Sequence, residues 1–362
     1  MAGCSLFTSD ENDPSNPAQN PDTVFDVATY NLGAMISDTS LFDPPVAAGT
    51  LDDGFNDGPF DREIDEASGL ASLSYPKGTS EHKLYFWTHN DSGDEAHIFL
   101  LDSLGAGVAS WVLEGAENRD WEDMAAGPGP QQDVRYLYVA DIGDNLGRYD
   151  VKSIYRFPMP QVNEITIGAG TASTQVQAGT PSTQTIPAEQ VEQIAFRYPG
   201  GVSMDAEALF VDPKTGDIYI VTKREEPVVV YKLAYPQSLD EILVADKVAT
   251  LPMKTVTGGD ISADGRMIIL KTYDRVYLWA RELAEGGAAE GGSAEGGATE
   301  GGATGELESV TSALMRPPVR VPYVPEPQGE AIAFLGNGIG FVTISEKREG
   351  VNPVLYIYRA RE

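Results

Sequence analysis

The feature that most constrains this chain is a unit of acidic turn, apolar strand, tight turn and β-rich strands that occurs five times. Its clearest copy runs from Asp205 to Leu233, DAEALFVDPKTGDIYIVTKREEPVVVYKL. The others open at Glu66 (EASGLASLS), Asp120 (DWEDMAAGP), Gly258 (GGDISADG) and Gln328 (QGEAIAFLG). Each joins β-branched and aromatic runs through Gly, Asp, Asn or Pro turns, the pattern of strands linked by hairpins. A further β-like run follows most units: VASWVLEG, VEQIAFRYP, KVATLPM and VRVPYV.

Two low-complexity stretches stretch the period. Residues 161–189 are rich in Thr, Gln, Ser and Gly, and 283–306 is a run of Glu-Gly-Gly repeats. Without them the units fall about 50 residues apart, the length of a four-stranded antiparallel blade. The expected fold is therefore all-β: a single β-propeller of five blades, or six if residues 24–65 hold a degenerate one. A long β-solenoid fits less well, because each unit is too long for one coil. The fifth unit has no outer strand left before the C-terminus. A spare strand near the N-terminus, Val24–Tyr30 or Val46–Leu51, is expected to close the ring. The Glu-Gly-Gly run should extrude as a loop between the third and fourth strands of its blade.

Charge narrows the functions. Asp and Glu number 55 against 25 Lys and Arg, a net charge of −30. Nucleic-acid binding rests on basic contacts to phosphate, so it is excluded as an expectation, as is polybasic attachment to anionic lipid. What remains is a self-repelling soluble surface or a set of cation sites. Cys4 is the single cysteine, which leaves no internal disulfide. Its setting, Met1-Ala2-Gly3-Cys4-Ser5, resembles the end of a bacterial lipoprotein signal, with Cys4 as the lipidation site. Residues 1–23 then read as a disordered tether and 24–362 as the propeller, with the membrane reached only through the anchor. The expected location is the cell envelope, periplasm or cell exterior, and the expected state a monomer.

Aligning the inner strands brings out a column of acids: Glu66, Asp120 with Glu122, Asp205 with Glu207, Asp260 and Glu330. In a propeller such positions converge at one channel mouth. Clustered carboxylates repel and raise one another's pKa unless a cation compensates, and hard oxygen donors suit Ca²⁺. The competing expectation is structural, with each acid bracing the backbone of the next blade. A second column closes the second strands: His89-Asn90-Asp91, Asp141 with Asp144-Asn145, Lys223-Arg224-Glu225, Lys271-Thr272-Tyr273 and Ser345-Glu346. It should share the same mouth. His89, Lys223, Arg224, Lys271 and Glu346 are its candidate ligand contacts, unless the cations simply pair with the acids. The Gly-x-Ser-x-Gly, Walker and His-Glu-x-x-His motifs are absent from the sequence.

The openings DWEDMA, DAEALF and QGEAIAF, with THNDSG, LYVADIGDN and TGGDISADG, resemble phytase-like and esterase-like-phytase β-propellers of bacteria, including secreted or lipid-anchored members. The resemblance implies that Glu122, Glu207 and Glu330 would be calcium or water-activating ligands. Lys223 and Arg224 would be phosphate contacts. Two functions therefore stand open. One is a binding or scaffold module whose mouth holds Ca²⁺ and a small ligand or envelope protein. The other is a Ca²⁺-dependent phosphoesterase or esterase.

Overall fold

A computed structural model of the protein describes residues 25–50, 64–74, 84–93, 95–161, 183–284, 306–336, 338 and 340–361. The described strands form five antiparallel four-stranded blades. Blade 1 comprises Ala67–Ser74, Leu84–Asn90, His97–Asp102 and Gly107–Leu113. Blade 2 comprises Trp121–Pro128, Arg135–Asp141, Lys152–Pro158 and Glu192–Arg197. Blade 3 comprises Ala206–Val211, Ile218–Thr222, Val228–Leu233 and Asp246–Leu251. Blade 4 comprises Val256–Ile261, Met267–Thr272, Val276–Ala280 and Val319–Val321. Blade 5 takes Gly329–Phe334, Gly340–Ser345 and Val354–Arg359 from the C-terminal end. Its outer strand is Val46–Thr50, antiparallel to Val354–Arg359. Of the two spare strands, this one closes the ring. Each inner strand packs on the next, and blade 5 on blade 1.

The core lies between the blades. Five apolar clusters fill the five gaps between neighbours. Alternate residues of one strand serve different gaps, as the two-residue strand period requires. Ile218 and Ile220 face blade 2, while Tyr219 and Val221 face blade 4. Both faces of each blade are buried, which is why these strands read as continuous apolar runs.

Asp26–Val27, the other candidate for closure, instead adds a short parallel strand to the outer edge of blade 3. From there the chain passes along the rim. The Asp38 amide donates to the Arg320 carbonyl of blade 4, and Phe42 bridges Ala360 beside blade 5. Residues 26–50 thus strap three consecutive blades. Blades 1 and 2 receive parallel edge strands from other connections, Thr183–Ile186 and Leu243–Val244. The first of these lies inside the 161–189 stretch, which therefore ends in ordered structure. The Glu-Gly-Gly stretch falls between the third and fourth strands of blade 4, and most of it, like Cys4 and residues 1–23, lies outside the described residues.

All five inner strands carry a register shift at the same place, one turn-end residue after their start. The residues left without a partner are Ser68, Glu122, Glu207, Thr257 and Glu330. A bulge re-aims the side chain it carries and often marks a functional rim. The fold thus repeats one geometric device five times and places glutamate on three of its copies.

Candidate metal centre

Glu122, Glu207 and Glu330 line a cavity of about 460 Å³ at the mouth where the inner strands begin. Asp91, Asn145, Lys223, Arg224, Tyr273, Gln328 and Glu346 complete much of its wall. The acidic column and the strand-end column therefore meet at one mouth. Two overlapping triads stand out. Oxygens of Asp91, Asp120 and Glu122 lie within 4.8 Å of one another, as do oxygens of Glu122, Asp205 and Glu207. Glu122 belongs to both. Gly143 lets blade 2 close over them, because a Cβ there would strike the Asp120 and Glu122 carboxylates.

The column separates chemically at the bulge. Where the bulge residue is Ser68 or Thr257, the hydroxyl donates to a neighbouring blade: Ser68 Oγ to the Glu122 carbonyl at 2.6 Å, Thr257 Oγ1 to the Gly329 carbonyl at 3.1 Å. Where it is Glu207 or Glu330, one oxygen of the carboxylate stays open. Glu207 Oε2 and Glu330 Oε2 are buried with no hydrogen-bond partner, on side chains only 2% and 4% exposed. A buried acceptor without a donor costs about 1–3 kcal/mol, more when charged. Such oxygens are stable only if a proton or cation satisfies them.

The pKa pattern agrees. Burial, and then the charges of Glu207, Asp91 and Asp120, hold the Glu122 carboxyl well above the usual range. Burial, then Asp120 and Glu346, push Asp91 up to about 8. Burial and then Glu330 push Glu346 up to about 7. Burial raises Glu207 despite the opposing charge of Lys223. The mouth holds more carboxylates than its own cations neutralise.

Those cations are engaged. Lys223 bonds Glu207 Oε1, and its Nζ lies 5.2 Å from the Tyr273 ring centre. Tyr273 donates in turn to Glu330 Oε1 at 3.1 Å. Arg224 sits at the rim, half exposed, with Nε 2.5 Å from Asp205 Oδ2 and a contact to Asn145. The pairing that competed with phosphate binding is thus the one present.

Four expected site residues join neither the cavity wall nor the triads. Asp260 sits farther along its strand, at a second cavity formed where the inner strands end, and accepts from the amides of Phe334 and Ile261 at 2.7 and 2.8 Å. It is a brace between blades 4 and 5. His89 is fully enclosed between blades 1 and 2, its ring packed edge-on against Trp121 at 5.5 Å and over Gly69. Burial lowers its pKa to about 4, so it is neutral there. Lys271 is fully buried beneath the mouth, donating to the Gly329 carbonyl near Glu326 and Tyr323. Burial lowers its pKa as well. Glu66 is exposed at the rim, its backbone carbonyl accepting from the Asp91 amide.

Two residues carry more than the sequence reading assigned. Asp91 stands in the strand-end column of the sequence, yet its carboxylate joins one of the two acidic triads. Asp123, passed over beside Glu122, is fully buried and accepts from the amides of Met124, Leu209 and Gly259 at 2.8, 2.8 and 3.2 Å. It ties together the inner strands of three blades.

No family model matches the chain, and no curated protein matches it in sequence. Among solved structures, a luciferin-regenerating enzyme is similar over 90% of this chain and 92% of its own, at 12% identity and a TM-score of 0.37. A likeness this loose carries no argument about activity. The propeller rests on the strand pairing itself, and the phytase-like resemblance of the motifs has no support from these comparisons.

Proposed function

We propose that this propeller is a binding module whose acidic mouth holds a divalent cation and presents it to a small ligand or protein partner. The observation that carries the reading is the pair of buried, unpartnered oxygens, Glu207 Oε2 and Glu330 Oε2, beside two carboxylate triads that share Glu122. All the donors in those triads are carboxylate oxygens, and His89 is enclosed elsewhere. An oxygen-only set drawn from the strand ends of three blades favours Ca²⁺, which accepts six to eight ligands in irregular geometry, over a transition metal.

Binding ranks ahead of phosphoester hydrolysis because Lys223 and Arg224 are already paired with Glu207 and Asp205. A phosphate would first have to break both pairs. We further propose an extracytoplasmic location with tethering through Cys4, a reading that rests on the sequence alone. It suits the modest Ca²⁺ affinities typical of extracellular modules. Mass spectrometry of the N-terminal peptide from membranes tests it, and an unmodified Cys4 thiol would remove the anchor.

The test of the main reading is thermal unfolding with Ca²⁺ and with EDTA. Binding to the folded state alone adds roughly 2.7 kcal/mol at a hundredfold excess over the dissociation constant. Identical melting under both conditions would sink the reading.

A further inference from the structure

The carboxylates of the mouth fall into two halves. Asp91, Asp120, Glu122 and Asp205, from blades 1 to 3, form the half that Lys223 does not touch, and Glu207 borders it with an oxygen within 4.8 Å of Glu122 and Asp205. In the other half, Glu207 from blade 3 and Glu330 from blade 5 face each other across Lys223 and Tyr273. We propose that Lys223 is a tethered cation that fills this second half and limits the mouth to one divalent ion. The proposal rests on the reading of the mouth as a cation site.

Three observations carry it. First, the Lys223 side chain is only 12% exposed, and it runs from the end of the second strand of blade 3 into the cavity. An ammonium group seldom gives up that much hydration without a specific partner. Second, its surroundings are those of a bound ion: Glu207 Oε1 in direct contact, the Tyr273 ring beneath it, and Glu330 held by the Tyr273 hydroxyl. Third, the neutralisation is incomplete. One positive charge faces two carboxylates, and each keeps an Oε2 that is buried and has no donor. An ammonium has three N–H groups and one charge, whereas a divalent ion would bridge both carboxylates and satisfy both free oxygens. The second half is therefore built for a divalent ion and holds a monovalent one supplied by the chain.

Isothermal titration of the full chain with Ca²⁺ alone reads the ion count. The wild type is expected to bind one ion. Lys223→Met keeps the side chain's length without its charge and is expected to bind two. Adding Glu330→Gln to that variant should return the count to one. Lys254→Gln is the charge control, because Lys254 sits on the exposed rim, 3.7 Å from Glu226. It removes the same charge and should leave one ion. A count of one in Lys223→Met, or of two in both Lys223→Met and Lys254→Gln, overturns the proposal. Should Lys223→Met fail to fold, the wild type decides by itself, since two ions there overturn it too. No binding to the wild type, with binding to Lys223→Met, would overturn the proposed function while leaving Lys223 as the resident cation. No binding to either overturns both.

Discussion

Two sets of acids face the same channel and meet opposite fates. Asp123 and Asp260, deeper along their strands, have their carboxylate oxygens taken by backbone amides of their own and of neighbouring blades. Glu122, Glu207 and Glu330, at the mouth, occupy the bulge and extend past the backbone into open space, with two oxygens bonded to nothing. Side-chain length and position on the strand together separate the sets. The short aspartate at a regular ladder position finds an amide within a bond length of its own strand. The longer glutamate on a bulge overshoots the backbone and meets other glutamates. The first set holds the ring together, and the second is left to hold something else.

The largest effect should come from the bracing set. Asp123→Ala strips acceptors from three amides on blades 2, 3 and 4, each worth about 1–3 kcal/mol when left buried and unpaired. We expect a loss of at least about 3 kcal/mol in chemical denaturation. A loss under about 1 kcal/mol would break the distinction between the two sets. Glu207→Gln should behave in the opposite way. Breaking a buried ion pair normally costs several kcal/mol, but Glu330 remains beside Lys223 and a repulsive charge is removed. Stability in EDTA should stay within about 1 kcal/mol of the wild type, while the Ca²⁺-dependent rise in melting temperature falls by more than half. A variant that melts early in EDTA and keeps its full Ca²⁺ response would make Glu207 a brace.

Much of this was legible in the sequence, at the level of the repeat. Five openings of one kind, with an orphaned fifth blade and a spare strand far upstream, point to a closed ring. The choice between Val24–Tyr30 and Val46–Leu51 was not legible, because both are short and flanked by turn residues, and pairing alone decides. Two-residue edge strands such as Leu243–Val244 carry no period to detect. The acidic column was legible as a column, but its alignment slipped in blade 4. There the bulge residue is Thr257, and the nearest acid in sequence, Asp260, reads as its equivalent. In Glu122-Asp123 two adjacent acids point to opposite faces, one into the mouth and one into the brace. Only the position of the bulge shows which is which. Strand ends and mouths coincide in sequence, so His89 and Lys271 read as mouth residues, yet both are fully buried in the packing of the blades.

The smallest expected effect concerns protons, and it sharpens the comparison within one protein. Carboxyls raised by burial and mutual repulsion bind protons in the folded state at pH values where the unfolded chain has released them. Folding stability then falls as pH rises, starting from the ordinary carboxylate range near 4. The loss is complete once the folded-state groups ionise, at about 7 for Glu346 and Asp260 and about 8 for Asp91. In EDTA the melting temperature should therefore drop by a few degrees between pH 5 and pH 8. On the proposed reading saturating Ca²⁺ replaces the protons at the mouth, so the part of the slope due to Asp91 and Glu346 should vanish. The part due to Asp260 should persist, because that carboxyl lies at the far cavity, on the amides of Ile261 and Phe334 and near Arg135. Melting curves across this range, with and without Ca²⁺, measure the two parts separately. A slope unchanged by Ca²⁺ would mean that the mouth does not exchange protons for the ion, and that its acids are braces after all.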